Sequence, residues 1–99
     1  MIIDALKFCG LLYRASKLVI GDTAKEKLKK GKTKLLILAN DISQNSLEEI
    51  NSLNHHNVKT ISFANKIELG NAVGKSNVVV MAILDIKANE ALLNKINNK

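Results

Sequence analysis

The chain of 99 residues has no proline and no tryptophan, one cysteine, and only three aromatic side chains, Phe8, Tyr13 and Phe63. Each shortage excludes something. Without proline, against about 5% in an average protein, turns and helix ends fall to Gly, Asn, Asp and Ser. A single cysteine, Cys9, rules out an internal disulfide and points to a reducing compartment. Its spacing from Ile2, Leu6, Leu12 and Tyr13 puts it on the buried stripe of a helix, as a core thiol. Three aromatics are too few for the stacking platforms that hold single-stranded nucleic acid. No apolar run reaches the roughly 18 residues a membrane span needs. The opening MIIDALKFCGLLYRA lacks the basic start and the small-residue cleavage site of a signal peptide. A cytoplasmic protein with no membrane partner is expected.

Apolar residues make up 46% of the sequence, which suits one globular domain over residues 1–99 with its own core. The formal net charge is +6, and one segment holds all of it. Between Arg14 and Lys34, eight basic residues stand against two acids, Asp22 and Glu26; elsewhere seven basic residues balance seven acidic ones. Such clustering is the footprint of a polyanion partner, whose counterions it displaces. It also suits a solvated lysine-rich helix that only aids solubility.

Hydrophobic spacing divides the chain into alternating elements. Residues 2–14 carry apolar positions three and four apart, a helical pattern. Leu18-Val-Ile20 reads as a short strand ended by Gly21. Asp22 is expected to cap a helix over 23–30, with Gly31 as its stop. Leu35–Ala39 is a continuous apolar run, the pattern of a central strand buried on both faces. Asp41 or Ser43 would cap a third helix with Leu47, Ile50 and Leu53 on one side. A strand over Lys59–Phe63, a short helix over Lys66–Ala72 and a long central strand over Val78–Leu84 follow. Ala88, Ala91, Leu92 and Ile96 mark a closing helix. The order αβαβαβαβα predicts an α/β fold with helices on both faces of a sheet.

Gly70-Asn-Ala-Val-Gly74-Lys75-Ser76 resembles a phosphate-binding loop, but only three residues separate its glycines and the motif needs four. Its polarity is also reversed. These glycines end a helix and precede a strand, whereas phosphate is held at a helix N-terminus. Gly74 suits a helix end with positive φ, and Gly70 a close packing of the short helix against its neighbour. His55 and His56 are adjacent, face different ways on a helix and have no third ligand at metal spacing. No serine or carboxylate sits in a pattern that suggests catalysis. A non-enzymatic protein with no metal, cofactor or small-molecule substrate is expected.

The remaining signal is the basic segment around Gly21. A helix N-terminus there would offer backbone N–H groups and short polar side chains beside lysines that hold phosphates. Lys17-Leu-Val-Ile-Gly21, the charged helix to Gly31, and Lys34-Leu-Leu-Ile-Leu-Ala39-Asn-Asp41 occur in order. Lys66-Ile-Glu-Leu69-Gly70-Asn-Ala72-Val-Gly74 and a strand ending Ala82-Ile-Leu-Asp85 come after them. Together these resemble the kink-turn RNA-binding ribosomal protein family, the large-subunit "seven-Ae" superfamily with its LGxAxG block. The likeness runs over residues 4–96 and is nearest to the short bacterial branch called YlxQ-like.

That resemblance implies a three-layer α/β/α sandwich with a four-stranded mixed sheet. It further implies a partner RNA with a sharp internal bend, whose sheared G·A pairs meet the second helix. Gly21 would open that helix, Thr23 and Ala24 fall on the base-reading pair, and Lys27 follows one turn on. Phe63, Ala64 and Asn65 fall on a loop that covers an extruded nucleotide. Thr23-Ala24 departs from the amide or carboxylate pair usual there, and Asp22 adds a negative group. Losing one good base-edge contact removes about 1–3 kcal/mol of discrimination. The expectation is a monomeric structured-RNA binder of altered specificity, with Lys17, Lys27, Lys30 and Lys66 on phosphates. A protein-interaction module that kept the fold and lost the RNA site is the alternative.

Overall fold

A computed structural model describes residues 2–97, with the side chain of Asn97 left aside. Nine elements follow one another: α1 (Ile2–Arg14), β1 (Leu18–Ile20), α2 (Gly21–Lys29), β2 (Leu35–Leu38), α3 (Gln44–Leu53), β3 (Thr60–Ile61), α4 (Lys66–Ala72), β4 (Val80–Ile83) and α5 (Ile86–Asn97). The strands form one mixed sheet in the order β1-β4-β2-β3. β4 runs antiparallel to both β1 and β2, and β3 is parallel to β2.

The two central strands explain the layers. All residues of β2 and β4 are buried, and alternate side chains of a strand point to opposite faces. Leu35, Ile37, Met81 and Ile83 join a core with Ala5, Cys9 and Leu12 of α1, Leu69 of α4 and Leu92 of α5. Leu36, Leu38, Val80 and Ala82 join a second core with Ala24 and Leu28 of α2 and Ile50 of α3. Helices α1, α4 and α5 therefore cover one face and α2 and α3 the other. This is the expected three-layer α/β/α sandwich. Burying each such Leu or Ile contributes about 1.5–3 kcal/mol, so the central strands and their partners dominate the stability.

Several local expectations need correction. β4 is central but begins at Val80, and at four residues it is no longer than β2. β3 is two residues rather than five, because the chain beyond Ile61 leaves the sheet: the Asn40 N–H donates to the Ala64 carbonyl at 2.9 Å. Asp22 does not cap α2. The helix begins two residues earlier than expected, at Gly21, with Ile20 in the cap position and no side-chain capping bond. Of the two candidates for α3, Ser43 is the cap, accepting from the Ser46 N–H. Gly70 packs not against a neighbouring helix but against the turn at Lys75 and Ser76, whose backbone atoms lie 2.9 Å from where its Cβ would be. The close helix approach is made by Gly10, where a Cβ would stand 2.5 Å from the Ala72 carbonyl oxygen.

Candidate nucleic-acid interface

The topology gives the sheet two unlike ends. β1, β2 and β3 run the same way, so their C-terminal ends share one end of the sheet with the start of β4. At this end stand Gly21, the loop after β2 and the loop at Phe63. Open α/β sheets commonly hold ligands outside the carboxyl ends of their strands.

Gly21 shapes its side of this end. Its φ of +58° lies in the left-handed region, and a Cβ there would meet nothing within 4 Å. Glycine is thus required by backbone conformation rather than by crowding. It turns the chain from β1 directly into α2, and no side chain caps the first turn. The first N–H groups of a helix have no partner within it and carry partial positive charge. Asp22 and Thr23 are exposed beside them, whereas Ala24 is fully buried under the helix. Of the base-reading pair the resemblance implies, only Thr23 has a side chain at the surface. Lys27 is half-buried further along the helix and makes no ion pair among the described residues.

The opposite side is built from the β3–α4 loop. Phe63 is half-buried against the α1 face of the core, and Ala64 is buried. Ala64 therefore contributes its backbone and its packing to the loop, not an exposed side chain. Asn65 accepts the Glu68 N–H through Oδ1 at 2.8 Å, and Glu68 accepts the Asn65 N–H at 3.0 Å. This reciprocal capping box fixes the entry of α4. Its Asn-x-x-Glu spacing was visible in the sequence. The link from Asp41 to the Lys66 N–H, 2.9 Å, was not, because it joins residues 25 apart. Asn40 and Asp41 thereby hold the Phe63 loop to the end of β2.

The charge is arranged differently from the order of residues. Sequence places eight cations around Gly21, but α2 is nine residues long, about 13 Å, and carries most of them to the other end of the sheet. Neither Lys17 nor Lys30 stands with Gly21. Lys17 precedes β1 and pairs with Asp85 at 3.3 Å; Lys30 lies past the end of α2 and pairs with Glu26 at 2.7 Å. The Glu26 carboxyl is held below its ordinary range by the hydrogen bond from Lys30 and by that ammonium's charge. Asp85 is lowered first by the Lys87 N–H and then by Lys17. Around Gly21 and the Phe63 loop, exposed Asp22, Asp41 and Glu68 face exposed Lys66 and Lys75. Of the four lysines expected on phosphates, the fold brings Lys66 to this end and leaves Lys27 within reach of it.

Among the described residues no group of three or more His, Cys, Asp or Glu is placed to hold a metal, and no helix is long and apolar enough to cross a membrane. An open groove of about 850 Å³ lies between α1 and α4, lined largely by apolar groups such as Ile3, Leu6, Leu11 and Val73. Of the residues placed at the Gly21 end, it takes in Glu68 alone.

The model of the ribosomal protein L7Ae/L30e/S12e/Gadd45 family matches residues 9–93 of this chain. Among solved structures, a Bacillus halodurans protein of unknown function is similar at 25% identity with a TM-score of 0.75. That match covers 95% of this chain and 97% of the other. A 15.5 kD RNA binding protein of Giardia lamblia is similar at 20% identity and a TM-score of 0.70, over 95% of this chain and 82% of its own. No curated protein matches the sequence.

Proposed function

The chain belongs to the ribosomal protein L7Ae/L30e/S12e/Gadd45 family, and from that premise we propose that it is a small non-catalytic RNA-binding protein. Its contact surface is the N-terminus of α2 together with the loop at Phe63. The observation that carries this reading is the uncapped start of α2 at Gly21, standing at the same end of the sheet as a loop that Asn40 and Asp41 hold rigid. Unsatisfied N–H groups at a helix start attract phosphate or donate hydrogen bonds to acceptors on base edges nearby. The similarity to a Giardia protein that binds RNA supports the same class of partner.

The ligand is a structured RNA, ribosomal or kink-turn-containing. Gly21 and the backbone of Asp22 and Thr23 approach the bend, Lys27 and Lys66 neutralise phosphates, and Phe63 with Asn65 faces an unpaired nucleotide. Buried Ala24 cannot read a base, so recognition leans on backbone groups, on Thr23 and on shape. A cytoplasmic, monomeric protein without cofactor fits this role.

A mobility-shift titration tests it, using a kink-turn duplex and an unkinked control at two salt concentrations. Tighter binding of the kinked RNA is expected. Equal binding of both removes kink-turn recognition, and no binding of either at low salt overturns the proposal. A second reading, a protein-interaction module, draws on the acidic balance of Asp22, Asp41 and Glu68 at this end. Partners recovered from lysate that persist after RNase treatment, with no RNA shift, would favour it.

A further inference from the structure

The end of the sheet away from Gly21 carries the charge that its opposite lacks. It is formed by the starts of β1, β2 and β3 and by the exit from β4, and backbone bonds lock these together. The Lys34 N–H donates to the Ile83 carbonyl at 2.7 Å, Leu84 to Lys17 at 2.9 Å, and Leu36 to Lys59 at 2.9 Å. The turn after α2 meets the turn after α3 here, with Gly31 against the His56 ring. Lys17, Lys34 and Lys59 thus mark the starts of three strands of one sheet, across about 14 Å at ordinary strand spacing. Arg14, Lys32 and Lys87 flank that row, and Lys29 and Lys30 close α2 beside it. All eight side chains are exposed.

Acids are scarce at this end. Among the described residues Asp85 stands there, with Glu26, Glu49 and Glu90 about a turn away on α2, α3 and α5, and the first three are already occupied by lysines. Six cations make no ion pair among the described residues. Among the described residues no exposed Phe or Tyr stands here: Tyr13 packs against the core and Phe63 lies at the other end, and the rings of His55 and His56, in one turn, make no multi-base stacking platform. Among the described residues Ile86 is the large apolar side chain exposed at this end, far short of the apolar centre a protein interface needs.

We infer that this Lys34 end is a second RNA-binding face, which grips the sugar-phosphate backbone of a duplex without reading its bases. The protein then holds two RNA segments at opposite ends of its sheet. The inference rests on the proposed RNA-binding function only for the identity of the polyanion. A row of lysines on a fixed backbone, unpaired at Lys34 and Lys59, releases counterions from phosphate, and such backbone contacts give an affinity that is independent of sequence and steeply salt-dependent.

The test uses the full chain and a straight, unbent RNA duplex of about 20 base pairs, followed by fluorescence anisotropy between 50 and 200 mM KCl. Its length suffices to cover several phosphate contacts. The variant Lys32→Gln/Lys34→Gln/Lys59→Gln is expected to bind this duplex at least tenfold more weakly at 50 mM. Its salt slope should fall by about two units. These side chains are exposed, so its urea midpoint should match wild type. Unchanged affinity or slope in the variant overturns the inference, as does failure of the wild type to bind the duplex at 50 mM KCl. Competition by poly-glutamate as effective as by RNA of equal charge also overturns it, by pointing to an acidic protein. Preference for bent over straight RNA reports the Gly21 end separately. Loss of duplex binding in the variant supports the Lys34 face even if that preference is absent and the Gly21 site fails.

Discussion

The carboxylate of Asp41 accepts the backbone N–H of Lys66 at 2.9 Å, joining the exit of β2 to the first turn of α4 across 25 residues. One of the orphan donors of α4 is satisfied this way, and a negative group sits at the positive end of the helix. Asp41→Ala should lower stability by about 1 kcal/mol in urea denaturation, the usual size for a lost capping group. Asp41→Asn keeps an acceptor and should cost less. Faster hydrogen exchange at the Lys66 amide in Asp41→Ala would show that the loop at Phe63 has loosened; no change would mean the bond holds nothing in place.

Gly10 and Gly74 should respond to alanine for different reasons. At Gly10 the added Cβ meets the backbone of Ala72 at 2.5 Å, so α1 and α4 must separate, at a cost of about 1–3 kcal/mol. At Gly74 there is room, but φ is +76°, and the left-handed conformation costs an L-residue roughly 1–2 kcal/mol. Urea midpoints check both. In addition, Gly10→Ala should perturb the chemical shifts of α4, whereas Gly74→Ala should leave them in place.

Cys9 lies in the core, and burial pushes its thiol up to about 12. The thiolate is the reactive form, so iodoacetamide at pH 8 should modify Cys9 only after denaturation. The linkage has a definite sign. The unfolded thiol loses its proton from about pH 8.5, while the folded one keeps it until about 12. The unfolded state therefore binds fewer protons in this window, and stability should fall as pH rises through it. Cys9→Ala removes this part of the alkaline loss, which paired pH–urea titrations of both proteins would reveal.

Lys27 and Lys30 are three positions apart but should differ in RNA binding. Lys27 has no ion pair among the described residues, and Lys30 is held by Glu26 at 2.7 Å. Lys27→Ala should weaken binding of a kinked RNA and reduce the salt slope by about one unit, as expected for one lost phosphate contact. Lys30→Ala should change the affinity for the same RNA less, because its ammonium is engaged by Glu26 and it stands toward the other end of α2. Equal effects would mean that the Glu26 pair opens on binding.

The layers were legible because the strongest sequence signals act locally. The run Leu35–Leu38 admits no polar face, so both faces of β2 had to be covered, and they are. Gly31 and Gly74 were expected at helix ends and have φ of +69° and +76°. The shortfalls came where distant segments compete. Ser62 and Phe63 suit a strand by composition, but Asn40 draws Ala64 out of line with β2 and ends β3 early. Asp22 is a good capping residue by type, yet the left-handed Gly21 starts the helix before it. The basic segment misled most. Its lysines are neighbours in the chain, but a helix and a turn carry them from one end of the sheet to the other.

The sheet shows very little of itself to another sheet. Its outer strands, β1 and β3, contain three and two residues, and the long apolar strands lie between them. A stray chain or a second copy would find at most two or three residues to pair with, too short a ladder to zip onto. The most amyloid-like stretches, Leu35–Leu38 and Val80–Ile83, are thus shut away for as long as the fold persists. Crowded solutions of the folded protein should stay clear, and turbidity on gentle heating should rise only where unfolding begins.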